Sequence, residues 1–307
     1  MKVSVVICAY SPDVFDHLVD AVNSVLAGTY DDVEVVVVVD GDESLCERIR
    51  DRYESHDDVV LHCNDENLGL SASRNEGIER AAGDVVAFLD DDAVAHPEWV
   101  ERLVSLYRRH DAVAAGGRMT GRWVAGKPTF LPEEFYWLVG VTHRGFPTEE
   151  CEVRNTFGSN ISFRREVFEE LGGFEPNLGR FGEKHLQGEE TEFAARVRQR
   201  YGEGVWYDPD AVVEHKVFDY RTKPGWLVKR AFWQGYSKRV MADVLPEEDG
   251  GEEGDFLKQL LVEFVPDRVG DVVRERRSTD AVQLLSLGLL TAVVGLGYVY
   301  GVVTRRL

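Results

Sequence analysis

From Val3 to His110 the chain alternates short apolar, β-branched runs with longer stretches whose apolar residues recur every three or four positions. The runs predict strands at Val3–Cys8, Val33–Val39, Val59–His62 and Val85–Leu89. The stretches predict helices at Asp13–Leu26, Glu43–Arg52, Ser71–Ala82 and Pro97–His110. Such alternation builds an α/β domain with a mostly parallel sheet flanked by helices. Val35-Val36-Val37-Val38-Val39 has no polar alternation, the pattern of a central strand covered on both faces. Ser11-Pro12 offers a cap and a first-turn proline to the opening helix, and Gly83 is expected to end the third.

Between Gly116 and Glu152 the pattern loosens into glycine, proline and aromatic residues, as in a long mobile loop at an active site. Order returns around Phe157–Phe163, with helices expected at Arg165–Leu171 and Glu189–Arg200 and a returning strand at Tyr207–His215. Pro224–Leu245 is basic and aromatic; it reads either as a helix on an anionic membrane surface or as an amphipathic helix packed on the domain. Glu247–Asp255 is an acidic linker containing glycine. Ala281–Val303 carries no charge for 23 positions, enough for a helix to cross a hydrocarbon layer of ~30 Å. These breaks divide the chain into a catalytic domain at 1–222, amphipathic and juxtamembrane helices with the acidic linker at 223–280, and a transmembrane helix at 281–303.

Composition narrows the partners. The formal net charge of -20 over 307 residues excludes general nucleic-acid binding, which needs a basic surface to displace counterions. The acid is dispersed and arginine outnumbers lysine, a balance like that of proteins adapted to high salt. Cys8, Cys46, Cys63 and Cys151 form no C-x-x-C pair and have no histidine at ligand spacing, so they read as reduced structural thiols with neither zinc nor a disulfide framework. The apolar start Met1–Ile7 is too short for a signal peptide, which places the catalytic part in the cytoplasm of a single-pass membrane protein.

In an open parallel sheet, ligands bind beyond the carboxyl ends of the strands. Ala9, Tyr10 and Ser11 follow the first strand. Asp40-Gly41-Asp42 follows the second, either as a solvated turn or as an acceptor for the imide N–H of a uracil-like base. Asn67–Asn75 turns into a helix carrying Arg74, a cation suited to a nucleotide phosphate or simply a helix-surface arginine. Asp90-Asp91-Asp92 follows the fourth strand; three adjacent carboxylates repel one another, and a divalent ion such as Mg²⁺ or Mn²⁺ would neutralise them beside a diphosphate. Glu189-Glu190 reads as a favourable helix start or as a general base. His215 reads as structural or as a ligand, with His143 and His185 as weaker candidates.

Taken in order, Val3–Tyr10, Asp40-Gly41, Asn67-Leu68-Gly69, Arg74-Asn75, Ala82-Gly83-Asp84, Phe88–Asp92, Gly158-Ser159-Asn160 and Gly188-Glu189-Glu190 closely resemble family 2 glycosyltransferases. The resemblance spans about Lys2 to Val217 and implies the GT-A nucleotide-diphospho-sugar transferase fold. It further implies Asp40 at the base, Asp90 or Asp91 at the ribose, Asp92 on the metal with His215 nearby, and Glu190 as catalytic base beside Glu189. The family commonly has Glu-Asp or Asp-Asp where this chain has two glutamates. The implied activity is inverting transfer from a UDP-sugar, a hexuronic acid among the options, to a dolichol- or polyprenol-linked glycan, as in haloarchaeal surface-protein N-glycosylation. The alternatives are a polyprenyl-phosphate sugar synthase and a non-catalytic membrane scaffold. A dehydrogenase is rejected because no G-x-G-x-x-G follows the first strand.

Overall fold

The computed structural model describes residues 1–176, 188–244, 251–275 and 277–304. Two compact units are formed by discontinuous stretches: residues 1–120 with 147–216, and residues 121–146 with 217–307.

In the first unit, β1 (Val3–Ala9), α1 (Phe15–Leu26), β2 (Val33–Asp40), α2 (Glu43–Tyr53), β3 (Val59–Asn64), α3 (Leu70–Arg80) and β4 (Val85–Asp90) follow the predicted alternation. Next come β5 (Ala93–Ala95), α4 (Trp99–His110), β6 (Ala114–Trp123), β7 (Cys151–Val153), β8 (Ile161–Arg164), α5 (Arg165–Leu171), α6 (Glu189–Tyr201) and β9 (Val205–Val217). The sheet runs β3-β2-β1-β4-β8-β6-β9-β5, with β7 on β9. β1 pairs in parallel with β2 and β4, and β2 with β3, whereas β8 joins β4 antiparallel. The sheet is therefore mixed: the first half is parallel, and β5 and β7 each add to β9 antiparallel. β2 is buried at every position, as its unbroken valines predict. Residues Val3, Val5 and Ile7 pack with α1, α2 and α4 on one face, while Val6, Val36, Val38 and Phe88 pack with α5 and α6 on the other.

Some local expectations change. Ser11 accepts a hydrogen bond from the Asp13 amide at 3.3 Å and caps a single 3₁₀ turn, Pro12–Val14, before α1 begins. Gly83 lies beyond the end of α3; its amide donates to Ser4 Oγ at 2.8 Å, so the glycine serves a close approach to β1. The cysteine reading is corrected: Cys46 of α2 and Cys63 of β3 form a disulfide, while Cys8 and Cys151 are free. Residue spacing does not reveal that pair, because the packing of α2 beside β3 is what brings the two side chains together.

The second unit contains the end of β6, a 3₁₀ segment Glu133–Val139, α7 (Pro224–Val244), α8 (Gly251–Gln259), a π-helical turn Leu260–Phe264, α9 (Val265–Glu275) and α10 (Ser278–Thr304). The loosely patterned segment after Gly116 is thus partly structured, because Leu131, Phe135 and Leu138 are buried in a core with Leu227, Phe264 and Leu287. The expected acidic linker is helical over 251–255, and its first part, 247–250, lies outside the described residues. α10 is long and apolar enough to cross a membrane.

Candidate active site

Register gathers the predicted residues. β1 lies between β2 and β4, pairing Ala9 with Val39 and Cys8 with Asp90, so Ala9 and Tyr10 emerge between the ends that carry Asp40 and Asp90. Ala9 is buried; Tyr10 is 66% exposed at the strand end. Burial pushes the Cys8 thiol up to about 12, so it stays protonated at neutral pH.

Asp40 is buried and binds its own chain. Its Oδ1 accepts from Asn64 Nδ2 at 2.8 Å and from the Leu68 amide at 2.9 Å, and its Oδ2 accepts from the Gly69 amide at 2.9 Å. Gly41 has φ of +77° and lies so close to the backbone of Glu66 and Asn67 that any side chain would collide there. Asp40 thus shapes the turn leading into α3.

Arg74 departs most from its sequence reading. It is neither a surface residue nor turned to open solvent: the guanidinium is buried, donating from Nη1 to Glu189 Oε1 at 3.1 Å and from Nη2 to Asp90 Oδ1 at 3.3 Å. Nη2 also reaches the Gly158 carbonyl at 3.2 Å, and the group lies over the rings of Phe88 and Phe174. It ties the ends of β4 and α6 together. Gly188 caps α6 with φ of +124°, a conformation that favours glycine, and turns the two glutamates inward. Burial, and then the charge of Glu189, push the Glu190 carboxyl up to about 8, against the pull of Arg74. A carboxylate of that basicity suits proton abstraction near neutral pH.

The turn after β4 carries half-buried Asp91 and buried Asp92. Antiparallel pairing of β5 with β9 sets Ala93 opposite His215, and the Lys216 amide donates to the Asp92 carbonyl at 2.9 Å. His215 Nε2 therefore stands 3.2 Å from Asp92 Oδ1. One ligand atom each from Asp90, Asp92 and His215 lies within 4.8 Å of the others. Two carboxylates and an imidazole, with no thiol, fit a hard or borderline divalent ion that keeps open positions for phosphate oxygens.

Sequence reasoning gave no role to Ser159 or Asn160, although it singled out their tripeptide. Ser159 Oγ accepts from the Asp90 amide at 2.9 Å. Fully buried Asn160 accepts from Trp99 Nε1 at 2.8 Å and donates to the Arg118 and Ala211 carbonyls, bracing β6 and β9. Asn75 exchanges two hydrogen bonds with the Phe174 backbone, at 2.9 and 2.8 Å. His143 belongs to the second unit, with Nδ1 2.8 Å from the Arg144 carbonyl, and His185 lies outside the described residues.

The pattern of glycosyl transferase family 2 matches residues 4–172. The chain belongs to that family. Among its family 2 relatives, the chain is 51% identical over 308 aligned residues to a glucosyl-dolichyl phosphate glucuronosyltransferase of Haloferax volcanii, covering 100% of this chain and 98% of that protein. It is 28% identical to the glycosyltransferase AglE of the same organism, over 60% of this chain and 59% of AglE. Two solved structures share the GT-A-like fold. GalNAc-T7, crystallised with UDP, GalNAc and Mn²⁺, superposes with a TM-score of 0.57 at 20% identity, covering 84% of this chain and 54% of its own. Residues 1–349 of S. aureus TarS superpose with a TM-score of 0.53 at 15% identity, covering 100% and 92%. The carboxylate cluster is accordingly the candidate centre of a family 2 glycosyltransferase.

Proposed function

We propose that this family 2 enzyme moves a hexuronic acid, with inversion, from UDP to a dolichyl-phosphate-linked sugar at the membrane. The observation that carries the reading is the 51% identity along the full chain to the Haloferax enzyme whose name specifies glucuronosyl transfer and a glucosyl-dolichyl phosphate. In this reading 1–222 is catalytic, 223–280 juxtamembrane and 281–303 the anchor, with catalysis on the cytoplasmic side where nucleotide sugars are made.

Asp40, Ala9 and Tyr10 border the base, and Asp90 and Asp91 the ribose. Asp92, Asp90 and His215 would hold Mn²⁺ or Mg²⁺, which supplies positive charge to the diphosphate as it leaves. Glu190 takes the proton of the acceptor hydroxyl while its oxygen bonds to the anomeric carbon and the bond from that carbon to the diphosphate breaks. Arg74 bridges Glu189 and Asp90 and fixes their positions, a positioning task beside any contact with phosphate.

The test is transfer by the full chain from UDP-glucuronic acid, with Mn²⁺, to glucosyl-dolichyl phosphate and, separately, to dolichyl phosphate. Labelled disaccharide lipid from the first acceptor is expected. Product from dolichyl phosphate alone would mean a synthase that charges the lipid, and no turnover with either would reject this donor and acceptor pair.

A further inference from the structure

α10 makes contact with the rest of the second unit along nearly its whole length. Gln283 Nε2 donates to the Thr129 carbonyl at 2.8 Å, and Leu287 and Leu290 are buried in the core that includes Leu227 and Phe135. Further on, α7 and α10 approach at glycines. A side chain on Gly235 would strike the Val294 carbonyl, one on Gly297 would strike the Phe232 carbonyl, and Gly301 lies against Arg239. Contacts advance along both helices from Leu227 beside Leu287 and Leu290, through Gly235 at Val294, to Arg239 at Gly301, so the two run side by side in the same direction.

Among the described residues only α10 is long and apolar enough to cross a membrane, and α7 is not. α7 carries Lys229, Arg230, Lys238 and Arg239. It buries Leu227 and Ala231 in the unit's core, and its charged residues pack at the edge of that core: Arg230 donates to the Leu138 carbonyl at 3.4 Å, and Lys238 lies over the Trp137 ring. Lys229 and Arg230 lie between Leu227, which shares a core with Leu287 and Leu290, and Gly235, which meets Val294, so were α10 to stand across a bilayer these two cations would flank its middle at hydrocarbon depth, where ionic groups are strongly disfavoured.

The outward surfaces have the opposite character. Val282, Leu285, Leu289, Ala292, Leu296, Val299 and Val303 recur at three- and four-residue spacing, and all are exposed, Leu285 at 74%. Helices of a water-soluble domain place their apolar side inward. α9 departs from that pattern in part: Val269 and Val273 face out, while Arg268 turns inward to bind Glu134 through both Nε and Nη2, at 3.1 and 2.9 Å. Basic charge accompanies this apolar surface. Residues 217–244 hold six lysines and arginines against two aspartates in a chain of net charge -20, and Arg274 and Arg277 precede α10.

From this juxtaposition we infer that the second unit binds one leaflet of an anionic lipid membrane with α10 lying in its plane and does not cross it. α10, about 40 Å long at 1.5 Å per residue, sinks its exposed stripe about 5–10 Å into the headgroup and acyl boundary. α7 lies on the watery side, and the surrounding cations meet lipid phosphates. This refines the membrane attachment proposed above and rests on it.

The experiment uses the full chain in sealed vesicles of phosphatidylcholine and phosphatidylglycerol. Thr304→Cys, and Val124→Cys as a reference within the same unit, are labelled with a membrane-impermeant maleimide, with the parent chain as background. Labelling of both from one side is expected, each at least tenfold over labelling from the other. Labelling of Thr304→Cys only from the side opposite Val124→Cys overturns the in-plane arrangement while leaving attachment intact. Release of the chain by a carbonate wash overturns attachment itself, and the inference with it. Spin labels at Leu285→Cys and Leu296→Cys give a second readout: equal shallow depths support the in-plane helix, and markedly unequal depths overturn it.

Discussion

Each unit buries arginine against glutamate, and the two clusters differ in how their charges balance. In the second unit the carboxylate of Glu134, with no exposed surface, faces two arginines: Arg268 through two bonds and Arg144 at 3.2 Å. Asp267 takes the other side of Arg144, and Gln283 accepts from Arg268. In the first unit one guanidinium among the described residues, Arg74, serves Glu189 and Asp90, with Glu190 beside them and Asp92 close to Asp90. Burial, and then the charge of Glu189, leave the Glu190 carboxyl unusually basic, and Asp90, Asp92 and His215 form a group of ligands suited to a cation. A buried ion pair that is complete holds parts together; one that is short of positive charge is prepared for chemistry.

The largest test of that contrast is Glu190→Gln. Loss of the proton acceptor should lower transfer by about 10²–10⁴-fold, with donor binding by thermal shift unchanged; a parental rate would remove Glu190 from the base role. Glu134→Ala should act on stability instead. Stripping the carboxylate from buried Arg268 and half-buried Arg144 should cost about 3–5 kcal/mol in denaturant unfolding. The titration of Glu190 should not move.

A smaller effect is read from pH. In the ligand-free chain Glu190 should titrate near about 8, followed by carbon-13 NMR of the side chain. Glu189→Gln removes the neighbouring charge, so the midpoint should fall towards the ordinary carboxylate range; no movement would mean burial alone sets it. The smallest effect is on stability against pH. A carboxyl raised by folding from 4.5 to about 8 favours the native state below that window and loses that contribution as pH rises through it. Glu190→Gln should therefore melt with the parent near pH 4 and above it at pH 9.

Much of the first unit was legible because its code is local. Alternating runs named β1 to β4 and the helices between them, and carboxylates placed directly after β2 and β4 fall at the sheet's carboxyl edge for any parallel arrangement. Arg165–Leu171 needed no neighbour to be recognised as a helix. The exceptions depended on partners distant in sequence. That Arg74 is buried between Glu189 and Asp90 could not be read locally, because nothing near it in the chain announces Glu189, 115 positions away. Cys46 and Cys63 gave no spacing signal for their bond. The Ser159-Asn160 pair showed its purpose only once β8 lay between β4 and β6.

α10 makes the same division. Its apolar length was written in Ala281–Val303, and an apolar helix of that length has few places to go but lipid or a core. Its neighbour was not written there. The glycines at 235, 297 and 301 fix a charged helix against it, and the energy of an ion in hydrocarbon depends on where that ion sits relative to the bilayer. Sequence determined the strands, the acidic edge and the apolar helix, because each follows from short-range pattern and side-chain chemistry. Tertiary structure alone decided which charges meet, since Coulomb energy and desolvation depend on distances between residues that the chain order does not encode.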